Sequence, residues 1–243
     1  MSKKEQVLLT GASGGIGQAI AKSLATPRRT LFLHYYRNEK AIHLLKEQCE
    51  ALGAEVVLVK ANLCEHNGAS ELLRQITGQV DAVIHNAGID SIQLFSDTSD
   101  DELTKIMNIH LHNPIKITRT LLPAMIRERS GQIVFISSIW GLTGASCEVI
   151  YSAAKGGVNS FVKALAKEVA LSNIQVNAIA PGAIATEMLD RYEDEEKKAL
   201  IEEIPAGRLG QPEEVAELVS FLLSKKTSYM NGQIISVNGA WYC

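Results

Sequence analysis

The stretch Val7-Leu-Leu-Thr-Gly-Ala-Ser-Gly-Gly-Ile-Gly17 joins a short apolar strand to a glycine-rich turn, and residues 18–24 continue it as a predicted helix. A strand, a glycine turn and a helix in this order expose backbone N–H groups at the helix N-terminus, where a pyrophosphate can bind against the positive end of the helix dipole. The spacing is Gly-x-x-x-Gly-x-Gly, not the Gly-x-Gly-x-x-Gly of the common dinucleotide fingerprint. Alone, the stretch fits a nucleotide-binding turn and an ordinary close-packed turn equally well.

Outward from this turn, predicted strands alternate with predicted helices along the chain. Such alternation is typical of an α/β fold with a doubly wound parallel sheet of about seven strands and helices on both faces. The further strands are predicted at 30–34, 55–59, 80–84, 132–136, 174–178 and 233–237. The predicted helices are 39–51, 69–77, a long one from about 99 that Pro114 should kink, 149–170, and one starting at 212. Residues 1–243 are expected to form one domain, with 186–205 as a charged helical lid over the substrate.

Composition and charge exclude several classes of function. A net charge of −3 gives no reason to expect nucleic acid or an anionic membrane surface as a partner. The four cysteines show no Cys-x-x-Cys spacing and the six histidines are scattered, so no metal site is expected. No signal segment and no apolar run of membrane-spanning length stand out, and we therefore expect a cytoplasmic protein.

A second informative stretch runs from Ser138 to Lys155. Tyr151 and Lys155 are four residues apart and would share one helix face, where the ammonium favours the phenolate and lowers its pKa. Ser138 follows an apolar strand and could donate a hydrogen bond to a substrate oxygen whose charge changes during reaction. A Tyr-x-x-x-Lys pair also arises by chance on solvated helices, so this pair alone is a weak signal.

Taken together, the motifs carry a family resemblance. Thr10-Gly-Ala-Ser-Gly-Gly-Ile-Gly17, His85-Asn-Ala-Gly88, Ser138, Tyr151 with Lys155, and Pro181-Gly182 stand in the order found in classical short-chain dehydrogenase/reductases. The resemblance covers nearly the whole chain, and the joint pattern is specific. It implies a single-domain Rossmann fold and a nicotinamide-dependent reduction of a ketone.

The resemblance also implies a role for each motif. Tyr151 would supply the proton, Lys155 would bind the nicotinamide ribose, and Ser138 would orient the carbonyl. The implied cofactor-binding residues are Gly11, Ser13, Gly15, Ile16, Gly17, Arg37, Asn62, Leu63, Asn86, Ala87, Gly88, Tyr151, Lys155, Pro181, Gly182, Ile184 and Thr186. The 181–182 pair would lie beside the nicotinamide ring and Thr186 would hold its carboxamide. Purely structural readings stay open, with Asn86 as a strand-end cap and the 181–182 pair as an ordinary turn.

The end of the second predicted strand bears on the choice of cofactor. Enzymes that prefer NAD usually place a carboxylate there, on the ribose 2′-OH. This chain has His34-Tyr-Tyr-Arg-Asn38 instead, and Arg37 could pair with a 2′-phosphate. Many NADP-dependent members carry a basic residue inside the glycine turn, where this chain has Gly14, and Arg37 could also be a solvated loop charge. NADP(H) is favoured over NAD(H).

Two positions depart from the family pattern. His110 stands where the family usually has the asparagine of a proton relay, and it fits either a water-holding residue of that relay or a packed core residue. Glu148, three residues before Tyr151, fits either a partner for a cationic substrate group or a solvated charge on the rim.

These features leave three functional readings. The broadest resemblance is to NADPH-dependent 3-oxoacyl-carrier-protein reductases, with acyl carrier protein as partner. The local sequence around residues 138–148, with His110, resembles a subgroup associated with reducing 5-aminopentanone on elongation factor P, whose amine suits Glu148. A catalytically silent dinucleotide-binding regulator is the third reading, and the intact Ser138, Tyr151 and Lys155 argue against it. The family implies a homo-oligomer, usually a tetramer, and the apolar ending 234–243 is consistent with a covered C-terminus.

Overall fold

A parallel sheet organises the fold. The structure is a computed structural model that describes residues 4–189 and 193–243. Within these residues the sheet has seven strands in the order β3-β2-β1-β4-β5-β6-β7, with every neighbouring pair parallel. The strands are β1 Glu5–Leu9, β2 Arg29–Tyr35, β3 Glu55–Lys60, β4 Ala82–His85, β5 Gly131–Ile136, β6 Ile174–Pro181 and β7 Ile234–Val237. This arrangement confirms the α/β, Rossmann-like sheet predicted from the alternating pattern.

The helices follow the strands as the sequence predicts, with differences at their ends. They are α1 Gly15–Leu24, α2 Glu39–Ala51, α3 Gly68–Leu73, α4 Asp100–Met107, α5 Asn113–Glu128, α6 Trp140–Thr143, α7 Val149–Val169, α8 Asp194–Glu203 and α9 Pro212–Leu222. The second helix has the predicted bounds. The first begins inside the glycine turn, three residues before the predicted start. The third ends at residue 73, so the prediction to 77 is too long.

Two hydrophobic cores lie on opposite faces of the sheet. Successive strand residues point to opposite faces, so Val7 and Leu9 enter one core while Leu8 enters the other. The first core packs α1, α2 and α9 against the sheet, and the second packs α3, α5 and α7 against it. Because the central strands are covered on both faces, their sequences are continuous apolar runs and do not alternate between apolar and polar residues.

The order of the strands places the site. The chain runs from β1 to β2 and β3 on one side of the sheet and then crosses to β4 on the other side of β1. Such a reversal leaves a crevice outside the carboxyl ends of the strands, where ligands bind in open α/β sheets. The glycine turn after β1 and the residues after β4 and β5 all open into this region.

The predicted long helix is divided in two. Residues Asn108–His112 between α4 and α5 form a π-helical turn, so the irregularity begins before Pro114. Pro114 lies at the start of α5, directly after this turn, and it has no N–H to donate to a carbonyl of the turn. An irregularity thus lies close to the predicted kink, in the turn before Pro114, and the sequence did not predict its π-helical form.

Most of the described residues in the predicted lid segment are helical. Glu187–Leu189 forms a 3₁₀ turn, and α8 supplies the charged helix. Residues 190–192 lie outside the described residues. In the described parts of the chain no helix has the length and apolar character to cross a bilayer. The same residues contain no group of three side chains able to hold a metal ion.

Candidate active site

The glycine turn is held by hydrogen bonds from the adjacent strand end. The Thr10 hydroxyl accepts the backbone N–H groups of Asn86 at 2.9 Å and Ala87 at 3.0 Å. In return, the Asn86 amide donates to the carbonyls of Thr10 at 3.2 Å and Gly11 at 2.9 Å. Asn86 thus does cap the end of its strand, as the structural reading allowed, and it also fixes the turn.

Two glycines are required by the shape of this turn. Gly11 has a φ of +66°, and a Cβ there would lie 2.6 Å from the Ala87 Cα. A Cβ on Gly17 would lie 2.2 Å from the Gly11 carbonyl oxygen. The first turn of α1 carries no acidic residue and no side chain caps it, so its N–H groups are available to an anion.

The lid side of the crevice touches the same turn. A Cβ on Gly15 would lie 2.8 Å from the Thr186 Cγ2 atom, so the threonine predicted to hold the carboxamide packs directly on the turn. Ser13 accepts a hydrogen bond through its carbonyl oxygen from Gln18 at 2.9 Å, while Ile16 packs on the first core. These contacts gather the predicted pyrophosphate and nicotinamide residues into one crevice.

At the end of β2, His34 braces the turn. Its Nδ1 atom accepts the Gly11 N–H at 3.0 Å, which leaves Nε2–H to donate to the Ala61 carbonyl at 3.1 Å. Burial lowers the pKa of His34 to about 4, partly opposed by the Ala61 hydrogen bond, so the imidazole is neutral at physiological pH. Sequence reasoning did not single out this histidine, because its role depends on a contact across 23 residues.

Arg37 follows the carboxyl end of β2, at the predicted adenine end of the crevice. Its guanidinium stacks on the exposed Tyr36 ring, 5.4 Å from the centroid, and within the described residues it forms no ion pair. The nearby Asn62 uses its side-chain oxygen to accept the Cys64 N–H at 3.1 Å, and Leu63 is buried. A guanidinium held over an exposed ring is oriented and still able to bind an anion.

Helix α7 carries the predicted catalytic residues Tyr151 and Lys155 one turn apart. The Lys155 ammonium lies 5.4 Å from the centre of the tyrosine ring and donates to the Ile136 carbonyl at 2.7 Å. Burial lowers the pKa of Lys155 to about 7. This hydrogen bond ties α7 to the end of β5, the strand that leads to Ser138.

The Tyr151 phenol is a weak acid in this setting. Burial raises its pKa above the usual range, the Ser138 side chain opposes that rise through a hydrogen bond, and the charges of Glu148 and Asp90 add to it. Ser138 is itself buried and accepts the Trp140 N–H at 3.2 Å. The phenol is therefore protonated throughout the neutral range in the free protein, and the expectation that Lys155 lowers its pKa was wrong because burial outweighs the opposing contributions.

His110 lies against the predicted catalytic tyrosine. It comes from the π-helical turn, is 4% exposed, and its ring meets that of Tyr151 edge-on with centroids 4.9 Å apart. Nε2 lies 2.6 Å from the Ile89 carbonyl, and a Cβ on Gly88 would lie 2.5 Å from the His110 Cε1 atom. Burial, with a smaller contribution from the Lys155 charge, lowers the pKa of His110 well below its usual value. The structure thus brings a neutral imidazole to the predicted relay position, with Nδ1 buried and without a hydrogen-bond partner among the described residues.

A small cavity opens beside Tyr151 and forms the candidate substrate pocket. It is lined by Ser91, Gln93, Phe95, Thr98, Ile106, Cys147, Val149, Ile150 and Tyr151. The Gln93 N–H donates to the Cys147 carbonyl at 2.9 Å, and Cys147 has a φ of +63°, which is uncommon for a residue with a side chain. Glu148 therefore follows a fixed turn at the edge of this pocket.

The loop after β6 borders the crevice on the side where the nicotinamide is predicted. The Gly182 N–H donates to the Val237 carbonyl at 2.9 Å, and a Cβ on Gly182 would lie 2.9 Å from that of Asn238. The Pro181 carbonyl accepts the Ile139 N–H at 3.1 Å, and Ile184 is buried. The loop is thereby joined to the segment that carries Ser138.

Comparisons with known proteins give a consistent result. A family model described as Enoyl-(Acyl carrier protein) reductase matches residues 11–241. The chain is 47% identical over 237 residues to a Bacillus subtilis (strain 168) protein named Uncharacterized oxidoreductase YmfI, covering 97% of this chain and 98% of that one. It is 38% identical over 238 residues to the 3-oxoacyl-[acyl-carrier-protein] reductase FabG of Aquifex aeolicus, covering 97% and 96%. A crystal structure of a 3-oxoacyl-[acyl-carrier protein] reductase from Brucella melitensis superposes with a TM-score of 0.91 at 30% identity, covering 99% and 92%.

Proposed function

This chain belongs to the short-chain dehydrogenase/reductase family, and from that premise we propose that it reduces a ketone with NADPH. It is an oxidoreductase of a family that binds a nicotinamide dinucleotide and acts on ketone and alcohol groups. The observation that carries the proposal is the meeting of Ser138, Tyr151 and Lys155 at the crevice behind the glycine turn. An intact set of this kind argues against a catalytically silent regulator.

The proposed chemistry divides between the cofactor and three side chains. When bound, the nicotinamide supplies a hydride to the carbonyl carbon. The Ser138 hydroxyl donates a hydrogen bond to the carbonyl oxygen and Tyr151 gives it a proton, which neutralises the negative charge that develops there. Lys155 is placed by its Ile136 hydrogen bond to bind the ribose. His110, as a neutral imidazole, would hold water through Nδ1 in place of the usual relay asparagine.

The first candidate substrate is a 3-oxoacyl thioester on acyl carrier protein. Support comes from the relative named as such a reductase, which aligns over nearly the whole of both chains. We propose that the protein is cytoplasmic and assembles as a homotetramer. The exposed side chains of Phe221 and Tyr242 provide apolar surface for contacts between subunits.

A second candidate is the 5-aminopentanone group on a modified lysine of elongation factor P. Glu148 and Asp90 both lie close enough to Tyr151 to raise its pKa through their charges. Two carboxylates around the acid favour a substrate that carries an amine, and they are unhelpful beside an acyl chain. This electrostatic environment is the specific observation in favour of the second candidate.

A substrate panel tests both candidates. NADPH oxidation is followed with acetoacetyl-acyl carrier protein and with 5-aminopentanone-modified elongation factor P. Turnover of the thioester supports the first candidate. If only the modified factor reacts, the second is supported, and Glu148→Gln should then raise KM for it about tenfold because an ion pair with the amine is lost. A protein inactive with both substrates contradicts both candidates.

Arg37 should decide the choice of cofactor. Arg37→Ala removes the cation proposed to pair with the 2′-phosphate, so KM for NADPH should rise about tenfold or more while KM for NADH stays the same. Steady-state kinetics with both cofactors measure this. The matched control is Arg28→Ala, an exposed arginine that precedes β2 and so lies at the opposite end of the strand. Equal changes for the two cofactors would show that Arg37 is only a solvated loop charge.

A further inference from the structure

Asn159 lies on α7, outside the roles described above. It follows Tyr151 by eight residues and Lys155 by four. Residues four apart on a helix lie one above the other, so these three side chains follow one face of α7. That face points at the end of β5, where the Lys155 ammonium already bonds the Ile136 carbonyl.

The Asn159 amide is buried, and both its oxygen and its nitrogen are hydrogen-bonded. The residue is 5% exposed, and a buried amide is costly unless it is hydrogen-bonded. Its Oδ1 atom accepts the Ser137 hydroxyl at 2.7 Å, and its Nδ2 atom donates to the Gly141 carbonyl at 2.9 Å. Asparagine is also a poor helix former, so its place here is explained by these two bonds and not by helix propensity.

The two partners of Asn159 stand on either side of Ser138. Ser137 precedes it directly, and its N–H is held by the Ile179 carbonyl of β6 at 2.7 Å. Gly141 follows three residues later, in α6. One side chain of α7 therefore fixes both ends of the short segment whose hydroxyl bonds the catalytic tyrosine.

The close approach of α6 to α7 depends on a glycine. A Cβ on Gly141 would lie 2.8 Å from the Lys155 carbonyl carbon and 2.9 Å from the Asn159 Nδ2 atom. Because the glycine has no side chain, its carbonyl reaches the Asn159 amide. The short distance between α6 and α7 and the Asn159–Gly141 hydrogen bond therefore both depend on this glycine.

We propose that Asn159 is a positioning residue for carbonyl reduction, which holds the Ser138 segment against α7 so that the Ser138 hydroxyl and the Tyr151 phenol meet one substrate oxygen. The proposal rests on the reductase function above and adds a residue that touches neither substrate nor cofactor. Misplacing a reacting group by about 1 Å can lower a rate about 100-fold, so the expected effect is large for a side chain remote from the reacting atoms.

The first test compares two identical substitutions. Asn159→Leu keeps the branching and the number of side-chain heavy atoms and removes both bonds. Asn177→Leu is the matched control, because Asn177 is 2% exposed and also makes two bonds, to the Met230 carbonyl at 2.9 Å and from the Gln233 N–H at 3.0 Å. Both variants should lose thermal stability. Only Asn159→Leu should lower the single-turnover rate of ketone reduction, by about tenfold or more, with an unchanged Kd for NADPH.

A milder variant tests the same proposal if Asn159→Leu folds poorly. Ser137→Ala removes one of the two bonds and leaves the Asn159–Gly141 bond in place. Its single-turnover rate should fall about threefold, again with unchanged NADPH affinity.

A second readout needs no substrate. The chain has two tryptophans, Trp140 and Trp241, whose rings lie 5.1 Å apart, and Trp140 begins α6 beside Gly141. Tryptophan emission should therefore change in Asn159→Leu and stay the same in Asn177→Leu. The positioning role is overturned if the two leucine variants share the same rate and the same emission. A wild-type protein that is inactive with every ketone would instead overturn the reductase function. The comparison of tryptophan emission between the two leucine variants would then be the only test of whether Asn159 positions the Ser138 segment.

Discussion

A Tyr151→Phe variant should bind NADPH as tightly as the wild-type protein and reduce its ketone about 10²–10⁴-fold more slowly. The substitution removes the hydroxyl proton and leaves the ring, which packs against His110 at 4.9 Å and lies 5.4 Å from the Lys155 ammonium. Cofactor titration by fluorescence and single-turnover kinetics separate binding from chemistry. The loss should be in kcat, because the proton is transferred only as the oxygen becomes negative.

Tyr229→Phe is the matched control for this prediction. Its side chain is fully exposed, so the same loss of a hydroxyl should leave the rate unchanged. Full activity of Tyr151→Phe would refute Tyr151 as the acid. A loss of NADPH binding in that variant would show that the phenol holds the cofactor and would leave the proton donor to be found elsewhere.

Gly17→Ala should abolish cofactor binding and lower the free energy of unfolding by about 1–3 kcal/mol or more. The added Cβ would lie 2.2 Å from the Gly11 carbonyl oxygen and 2.8 Å from the Ala12 Cα. Both are backbone atoms of the turn, so no side chain can rotate away and the turn itself must move. Isothermal titration with NADPH and urea denaturation measure the two effects.

The same turn supplies the control. A Cβ on Gly14 would meet nothing closer than the Gly11 carbonyl oxygen at 3.8 Å. Gly14→Ala should therefore keep the free energy of unfolding within about 1 kcal/mol of wild type. If both alanine variants bind NADPH normally, the glycine turn is not the pyrophosphate site.

Much of the fold could be predicted because it depends on local patterns. Buried strands appear as apolar runs, and the amphipathic pattern of α2 gave its observed bounds. The Tyr151–Lys155 pair was found by its spacing of four residues. The π-helical turn was not predicted, because the sequence showed a proline at 114 and gave no sign of the changed hydrogen-bond register before it.

The residues that sequence reasoning missed act over long distances in the chain. Thr10 holds backbone groups 76 and 77 residues away, and Asn159 holds a hydroxyl 22 residues away. Neither contact is marked in a single sequence by a periodic pattern or a motif. Buried polar residues are the available signal, since an amide or hydroxyl inside an apolar run must find partners somewhere.

The π-helical turn at Asn108–His112 makes this part of the chain sensitive to insertion and deletion. Deleting one residue there would restore an ordinary helix and leave α4 and α5 nearly in register, because a π-helical turn holds about one residue more than an α-helical turn; the change would fall on the residues of the turn itself. His110 would swing away from Tyr151, and Gly88 would lose the ring that fills the space above it. The number of residues in this segment therefore matters to the candidate active site as much as the identity of any single side chain.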